Sequence, residues 1–140
     1  MPDKKAEALW NGDLKSGNGT VKLGSGLFEG PYTFVSRFED GSGTNPEELI
    51  AAAHAGCYSM ALSNELAKAG HDTQSVETKA TISLEFVDGA PTITKIILDA
   101  VANVPGLSDD DYQPIASATK DACPVSRALN MEIILNATLA

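Results

Sequence analysis

Hydrophobic and polar positions along the chain fall into two periods. Val76, Thr78, Ala80, Ile82, Leu84 and Phe86 alternate with Glu77, Lys79, Thr81, Ser83 and Glu85. That is the period of a strand with one dry face and one wet face. Asp88-Gly89 turns the chain, and Thr92–Val101 predicts the partner strand of a hairpin. Shorter runs at Ala6–Trp10, Thr20–Leu23 and Tyr32–Phe38 predict three earlier strands, separated by Gly/Asn/Ser-rich segments. In the third, Thr33, Val35 and Arg37 share one face and Tyr32, Phe34, Ser36 and Phe38 the other.

Between these strands the period changes. Asn45 is suited to cap a helix, Pro46 to its first position, and Glu47 and Glu48 to a first turn that favours negative charge. Glu48 stands where a capping box would place it. Nothing interrupts the pattern before Gly70, which predicts a helix of roughly 24 residues, about 36 Å long. Its middle is apolar on nearly every side, the mark of a buried helix. Ser108 with Asp109, Asp110 and Asp111 predicts a second helix to about Ala122. Pro124 interrupts it, and Pro124–Leu129 restarts as a short helix with Cys123 at its N-terminus. Met131–Leu139 is a last alternating strand. The order βββ–α–ββ–α–β predicts an α+β fold with a mostly antiparallel sheet, and the length suits a single domain over residues 1–140. One sheet covers an all-round apolar helix poorly, so a second subunit is expected.

Composition narrows the partners. Hydrophobic residues make up 43% of the chain and charged residues 21%, ordinary values for a globular domain. A formal net charge of −9 argues against nucleic acid or an anionic membrane surface as partner. The N-terminus carries no apolar signal stretch and no run is long enough to span a membrane, so the expected location is the cytoplasm.

In a reducing compartment the only two cysteines, Cys57 and Cys123, suggest catalytic or redox-sensing use rather than a permanent disulfide. Taken alone they read equally well as unreactive buried thiols. A reactive thiol needs help to ionise, because Cys57 lies about three turns into its helix, beyond the N-terminal dipole. His54 lies one turn upstream, and Arg37 is the only arginine before Arg127. A unit charge at about 4 Å, with an effective dielectric near 20, is worth about 4 kcal/mol, or about 3 pKa units before desolvation. By itself Arg37 reads as a solvated strand residue. His54 as a general base would give a Cys–His hydrolase or transferase site; as a packed helical residue it would do no chemistry.

Three segments carry a resemblance. Arg37-Phe38-Glu39, the stretch Gly43-Thr44-Asn45-Pro46-Glu47-Glu48-Leu49-Ile50-Ala51-Ala52-Ala53-His54-Ala55-Gly56-Cys57, and Ala122-Cys123-Pro124-Val125-Ser126 resemble the OsmC/Ohr family of bacterial osmotically inducible and organic hydroperoxide resistance proteins. The likeness covers essentially the whole chain, and the Ala-Ala-His-Ala wording is nearer the OsmC branch. It implies an OsmC-like fold, with two sheets wrapped around central helices in an intertwined homodimer. It also implies a thiol peroxidase acting on organic hydroperoxides and more weakly on hydrogen peroxide. Cys57 would then be the peroxidatic cysteine and Cys123 the resolving one. Arg37 would hold the thiolate and the peroxide, and Glu47 would orient Arg37. The family uses no metal, haem or flavin, and its reductant is an external dithiol, lipoyl-type before thioredoxin.

Helix geometry adds one expectation. Ten residues of helix put Glu47 about 15 Å from Cys57, so the two meet only if the helix breaks or if they come from different subunits. The second is expected, with Arg37 travelling with Glu47. Glu48 remains the alternative partner for Arg37. Two other functions fit the same cysteines: a redox-switched binding protein without turnover, and a structural dimer with inert thiols.

Overall fold

The polar pattern at Tyr32–Phe38, which predicts a strand, instead folds as a reciprocal cap. In the computed structural model, which describes all residues Met1–Ala140, strand β3 (Glu29–Tyr32) ends before Thr33. Helix α1 (Phe34–Phe38) follows. The Thr33 Oγ1 accepts from the Ser36 backbone N–H at 3.1 Å, and the Ser36 Oγ accepts from the Thr33 N–H at 2.8 Å. Two orphan donors are thereby satisfied in one turn, which outweighs the alternating apolar pattern. Arg37 therefore stands in the last turn of a helix, not at a strand end.

The chain divides into two units, Met1–Leu49 and Ile50–Ala140. In the first, β1 (Ala6–Asn11), β2 (Asn18–Leu23) and β3 form an antiparallel meander in that order. Trp10, Gly19 and Tyr32 lie in register across it. A Cβ on Gly19 would come within 2.7 Å of both rings, so glycine is what lets Trp10 and Tyr32 close over the strand, centroids 5.2 Å apart. Beyond α1 the Ser36 Oγ donates to the Thr44 carbonyl at 2.8 Å, and the Asn45 Nδ2 donates to the Ser36 carbonyl at 2.9 Å. These bonds tie α1 to the start of the next helix.

That helix, α2 (Pro46–Lys68), is unbroken through 23 residues. Its start is as the sequence predicts: the Asn45 Oδ1 accepts from the Glu48 N–H at 2.7 Å. The return half of the capping box is redirected, for the Glu48 carboxylate accepts from the Thr44 hydroxyl instead. Gly70, at φ +87°, closes the helix, with the His71 N–H bonded to the Leu66 carbonyl at 2.9 Å.

In the second unit, β4 (Ser75–Val87) and β5 (Ala90–Asn103) pair antiparallel through the Asp88-Gly89 turn. β6 (Glu132–Leu139) pairs parallel with β5, giving the order β4-β5-β6. The strands thus form two three-stranded sheets, mostly antiparallel as expected, with β5–β6 the one parallel pairing. A parallel neighbour needs a crossover, which α3 (Asp109–Ala122) and α4 (Pro124–Ala128) supply. Ser108 caps α3 through the Asp111 N–H at 3.2 Å, as expected. The core joins Tyr58, Leu62 and Leu66 of α2 to Ile96, Leu98, Ala100 and Ala102 of β5, with Tyr112, Ala116 and Cys123.

Within the single chain, burial of α2 is one-sided. Ala51, His54, Tyr58, Leu62 and Leu66, three or four residues apart, are buried. Ala52, Ala53 and Gly56 are exposed, and Met60 is 77% exposed. Phe86, at the wet end of the β4–β5 hairpin, is also exposed rather than on a dry face.

Candidate active site

The second unit brings Cys57 and Cys123 together. Cys57 stands mid-way along α2; Cys123 is both the C-cap of α3 and the N-cap of α4. Its backbone is held on both sides, the Cys123 N–H donating to the Thr119 carbonyl at 2.9 Å and its own carbonyl accepting from the Arg127 N–H at 3.0 Å. Pro124 at the first position of α4 turns the chain at this point. Both cysteines are free thiols, Cys123 buried and Cys57 half-buried. The Cys123 thiol donates to the Cys57 sulfur across 2.8 Å. The sulfurs stand less than about 1 Å beyond disulfide bonding distance, so an oxidant that takes two electrons from the pair needs little movement of either helix to join them.

Electrostatically this pair is quiet. Burial pushes the Cys57 thiol up, and the Cys123 thiol beside it adds to the rise, while the Val125 backbone N–H pulls the other way. None of the groups that set its pKa is a cation. Taken as it stands, this environment stores a protonated nucleophile.

His54 lies one turn before Cys57 with its ring fully buried. Its Nε2 is 2.7 Å from the Ser126 Oγ, and its Nδ1 has no hydrogen-bond partner. Burial lowers its pKa from the ordinary 6.5, so the ring is neutral at neutral pH. As pH falls below 6.5 the unfolded chain takes up the proton before the folded chain does, so stability is lost on acidification. Urea midpoints measured between pH 7 and pH 5 are expected to fall for the wild type, and to fall less for His54→Gln.

The first unit brings together the other two candidates. Arg37 in the last turn of α1 meets Glu47 in the first turn of α2. The Arg37 Nη2 donates to the Glu47 Oε1 at 2.8 Å, and its Nε lies 3.2 Å from both carboxylate oxygens. The Glu47 side chain is only 7% exposed and that of Arg37 is 35% exposed. The choice between Glu47 and Glu48 is thereby made: Glu48 is exposed and bonded to Thr44. Arg37 also borders a cavity of 360 Å³ lined by Trp10, Leu14, Tyr32, Phe34 and Phe38. Tyr58 lies instead in the core, its hydroxyl donating to the Ala116 carbonyl at 3.0 Å.

The sequence reading missed one member of the constellation, Ser126. Its signal was present only as a matched spacing: His54 precedes Cys57 by three residues, and Ser126 follows Cys123 by three.

The chain has known relatives over most of its length. The family model for OsmC-like protein matches residues 39–137. Over 134 residues the chain is 48% identical to the peroxiredoxin OsmC of Escherichia coli K12, covering 95% of this chain and 94% of that one. It is 31% identical over 101 residues to an organic hydroperoxide resistance protein of Xanthomonas axonopodis pv. citri, covering 71% and 69%. Among solved structures, an OsmC-like protein of unknown function from Vibrio cholerae superimposes with a TM-score of 0.76 at 16% identity, covering 98% of this chain and 99% of that one. No helix is long and apolar enough to cross a membrane.

Proposed function

This chain belongs to the OsmC family, whose named relatives make it a peroxidase, and on that premise we propose that it reduces organic hydroperoxides to alcohols through a Cys57–Cys123 disulfide. The observation that carries the proposal is the approach of two free thiols, 66 positions apart in sequence, to 2.8 Å. Inert structural cysteines have no reason to meet at the junction of two helices.

The chemistry balances on these residues. The Cys57 thiolate attacks one oxygen of the peroxide, the O–O bond breaks, and the alkoxide leaves and takes up a proton as the alcohol. Cys57 retains the other oxygen as a sulfenic acid. Cys123 condenses with it, releasing water and forming the disulfide. An external dithiol, of lipoyl type, then reopens the disulfide by exchange and leaves as a disulfide itself. Such a cycle belongs in a compartment whose dithiols are kept reduced, the cytoplasm. The preference for organic over hydrogen peroxide rests on the aromatic cavity beside Arg37, which would take an alkyl or aryl group while the guanidinium fork meets the peroxide oxygens.

The thiolate still needs its cation. Glu47 and Cys57 are separated by ten residues of unbroken α2, about 15 Å, and the Glu47 carboxylate holds Arg37 at its own end. We therefore assign the cation at each Cys57 to Arg37 of a second copy of the chain, held there by that copy's Glu47. The uncovered apolar face of α2, with Ala52, Gly56 and Met60 on one line, supports such a homodimer.

The test is turnover of cumene and tert-butyl hydroperoxide with excess dihydrolipoamide, with sedimentation in parallel. Sustained turnover by a dimer is expected. Met60→Glu is expected to give a monomer whose turnover falls with dimer content. A wild type that consumes one equivalent and then stops with every dithiol would favour the redox-switch reading. A fully active wild-type monomer would overturn the shared site.

A further inference from the structure

The short helix α4 poses a mechanical question. It has five residues, too few to hold itself together by its own backbone bonds, so its place is set by what its side chains touch. Its one buried residue is polar: Ser126, 7% exposed. The hydroxyl of Ser126 meets the Nε2 of fully buried His54 at 2.7 Å. Cys57 and Cys123 meet between the same two elements, one turn later on α2 and one turn earlier at the start of α4. Two contacts thus staple the Cys123 turn to α2. One is broken and remade whenever the sulfurs change oxidation state; the other takes no part in the sulfur chemistry.

We propose that the His54–Ser126 hydrogen bond is a positioning clamp that keeps Cys123 within reach of Cys57 while Cys57 is a sulfenic acid. The inference rests on the peroxidase reading for its biological meaning, but its physical content does not need it. A sulfenic acid has two fates. Condensation with the Cys123 thiol gives the disulfide and water; attack on a second hydroperoxide gives a sulfinic acid and a second alcohol, and that step is irreversible in the absence of a dedicated repair enzyme. The first fate is intramolecular, so its rate follows the fraction of time Cys123 spends docked. Burial of both clamp partners makes the bond strong for this duty. Removing one partner leaves the other polar atom buried and unsatisfied, which drives the turn outward. Neither clamp residue touches the reacting oxygen, so both act through the position of Cys123.

Two measurements test the clamp on wild type, Ser126→Ala, Ser126→Thr and His54→Gln. The first equilibrates the full-length protein in glutathione redox buffers and reads the Cys57–Cys123 disulfide by thiol alkylation and intact mass, with no peroxide present. Ser126→Ala is expected to lower the equilibrium constant for the disulfide by about tenfold, a potential about 30 mV less negative. Ser126→Thr, which keeps the hydroxyl, is expected to restore most of it. The second pulses reduced protein with cumene hydroperoxide and reads the ratio of sulfinic acid to disulfide, expected to rise by about tenfold in Ser126→Ala and to return with Ser126→Thr. Should Ser126→Ala not fold, His54→Gln with an amide near the Nε2 position carries the comparison, and an intermediate shift is expected. Equal potentials for wild type and Ser126→Ala would overturn the clamp, whatever the peroxide data show. So would a shift that Ser126→Thr fails to restore, the mark of a merely structural defect. A wild type that forms the disulfide in the buffer but leaves cumene hydroperoxide untouched would overturn the peroxidase reading alone, and the clamp would stand on its own potential.

Discussion

Cys57→Ser is expected to abolish hydroperoxide consumption, a loss on the order of 10⁴-fold or more, because a hydroxyl at this position has neither the acidity nor the nucleophilicity of a thiol. Cys123→Ser is expected to differ in kind rather than degree. Its Cys57 still attacks, so the protein consumes a first equivalent. With no thiol 2.8 Å away to condense with, the sulfenic acid persists, and a second equivalent adds oxygen to bring the mass gain to about 32 Da. Dithiol turnover then stops. The two variants separate nucleophile from resolver by product, not only by rate, and intact mass after one, two and five equivalents of cumene hydroperoxide reads both. Two variants with the same product would show that the roles are wrongly assigned.

The second large effect concerns the pair Arg37–Glu47. Arg37→Met is expected to lower kcat/KM by about 10²–10³-fold, the weight of a preorganised cationic donor at a developing charge. Arg37→Lys is expected to recover only a small part, since a single ammonium cannot reproduce a fork bonded to both carboxylate oxygens of Glu47. Glu47→Gln leaves the fork in place but weakly held, and a loss of about tenfold is expected, expressed in kcat/KM. Stability separates structure from chemistry here. Arg37→Met strands a 7%-exposed carboxylate, but Arg37 itself is 35% exposed, so the cost is well below that of a fully buried pair, about 1–2 kcal/mol. The double variant Arg37→Met/Glu47→Gln is expected to regain most of that stability and none of the activity. Recovery of activity in the double variant would mean that the pair serves only the fold. Cys57 thiolate absorbance against pH supplies a second readout. The wild-type transition is expected below that of the Arg37→Met protein, whose thiol keeps the upward push of burial.

Local rules made much of this fold legible in the sequence. Asn45, Pro46 and Gly70 bound α2 because capping, a missing N–H and a left-handed residue are local matters. The Asp88-Gly89 turn, the Ser108 cap and the Pro124 restart were readable for the same reason. Tyr32–Phe38 was not, since its apolar alternation competes with a Thr33–Ser36 box whose second member is Ser rather than the usual Glu or Gln. The parallel place of β6 beside β5 depends on how α3 and α4 cross over, which is tertiary information. One-sided burial of α2 likewise depends on what a single chain has available to cover it. At the site, the resemblance pointed to Cys57, Cys123, Arg37 and Glu47 with Glu48 as the alternative, and the approach of α1 pairs Arg37 with Glu47. Ser126 had no local signal, because its partner His54 is 72 positions away.

The most direct test of the central claim is intact mass and peptide mapping of the reduced wild type after one equivalent of cumene hydroperoxide, without added dithiol. The expected result is a mass lower by about 2 Da, both thiols gone, and a single cross-linked peptide pair joining Cys57 to Cys123. Unconsumed peroxide with both thiols free, or an oxidised Cys57 beside a Cys123 that remains a free thiol, would contradict it.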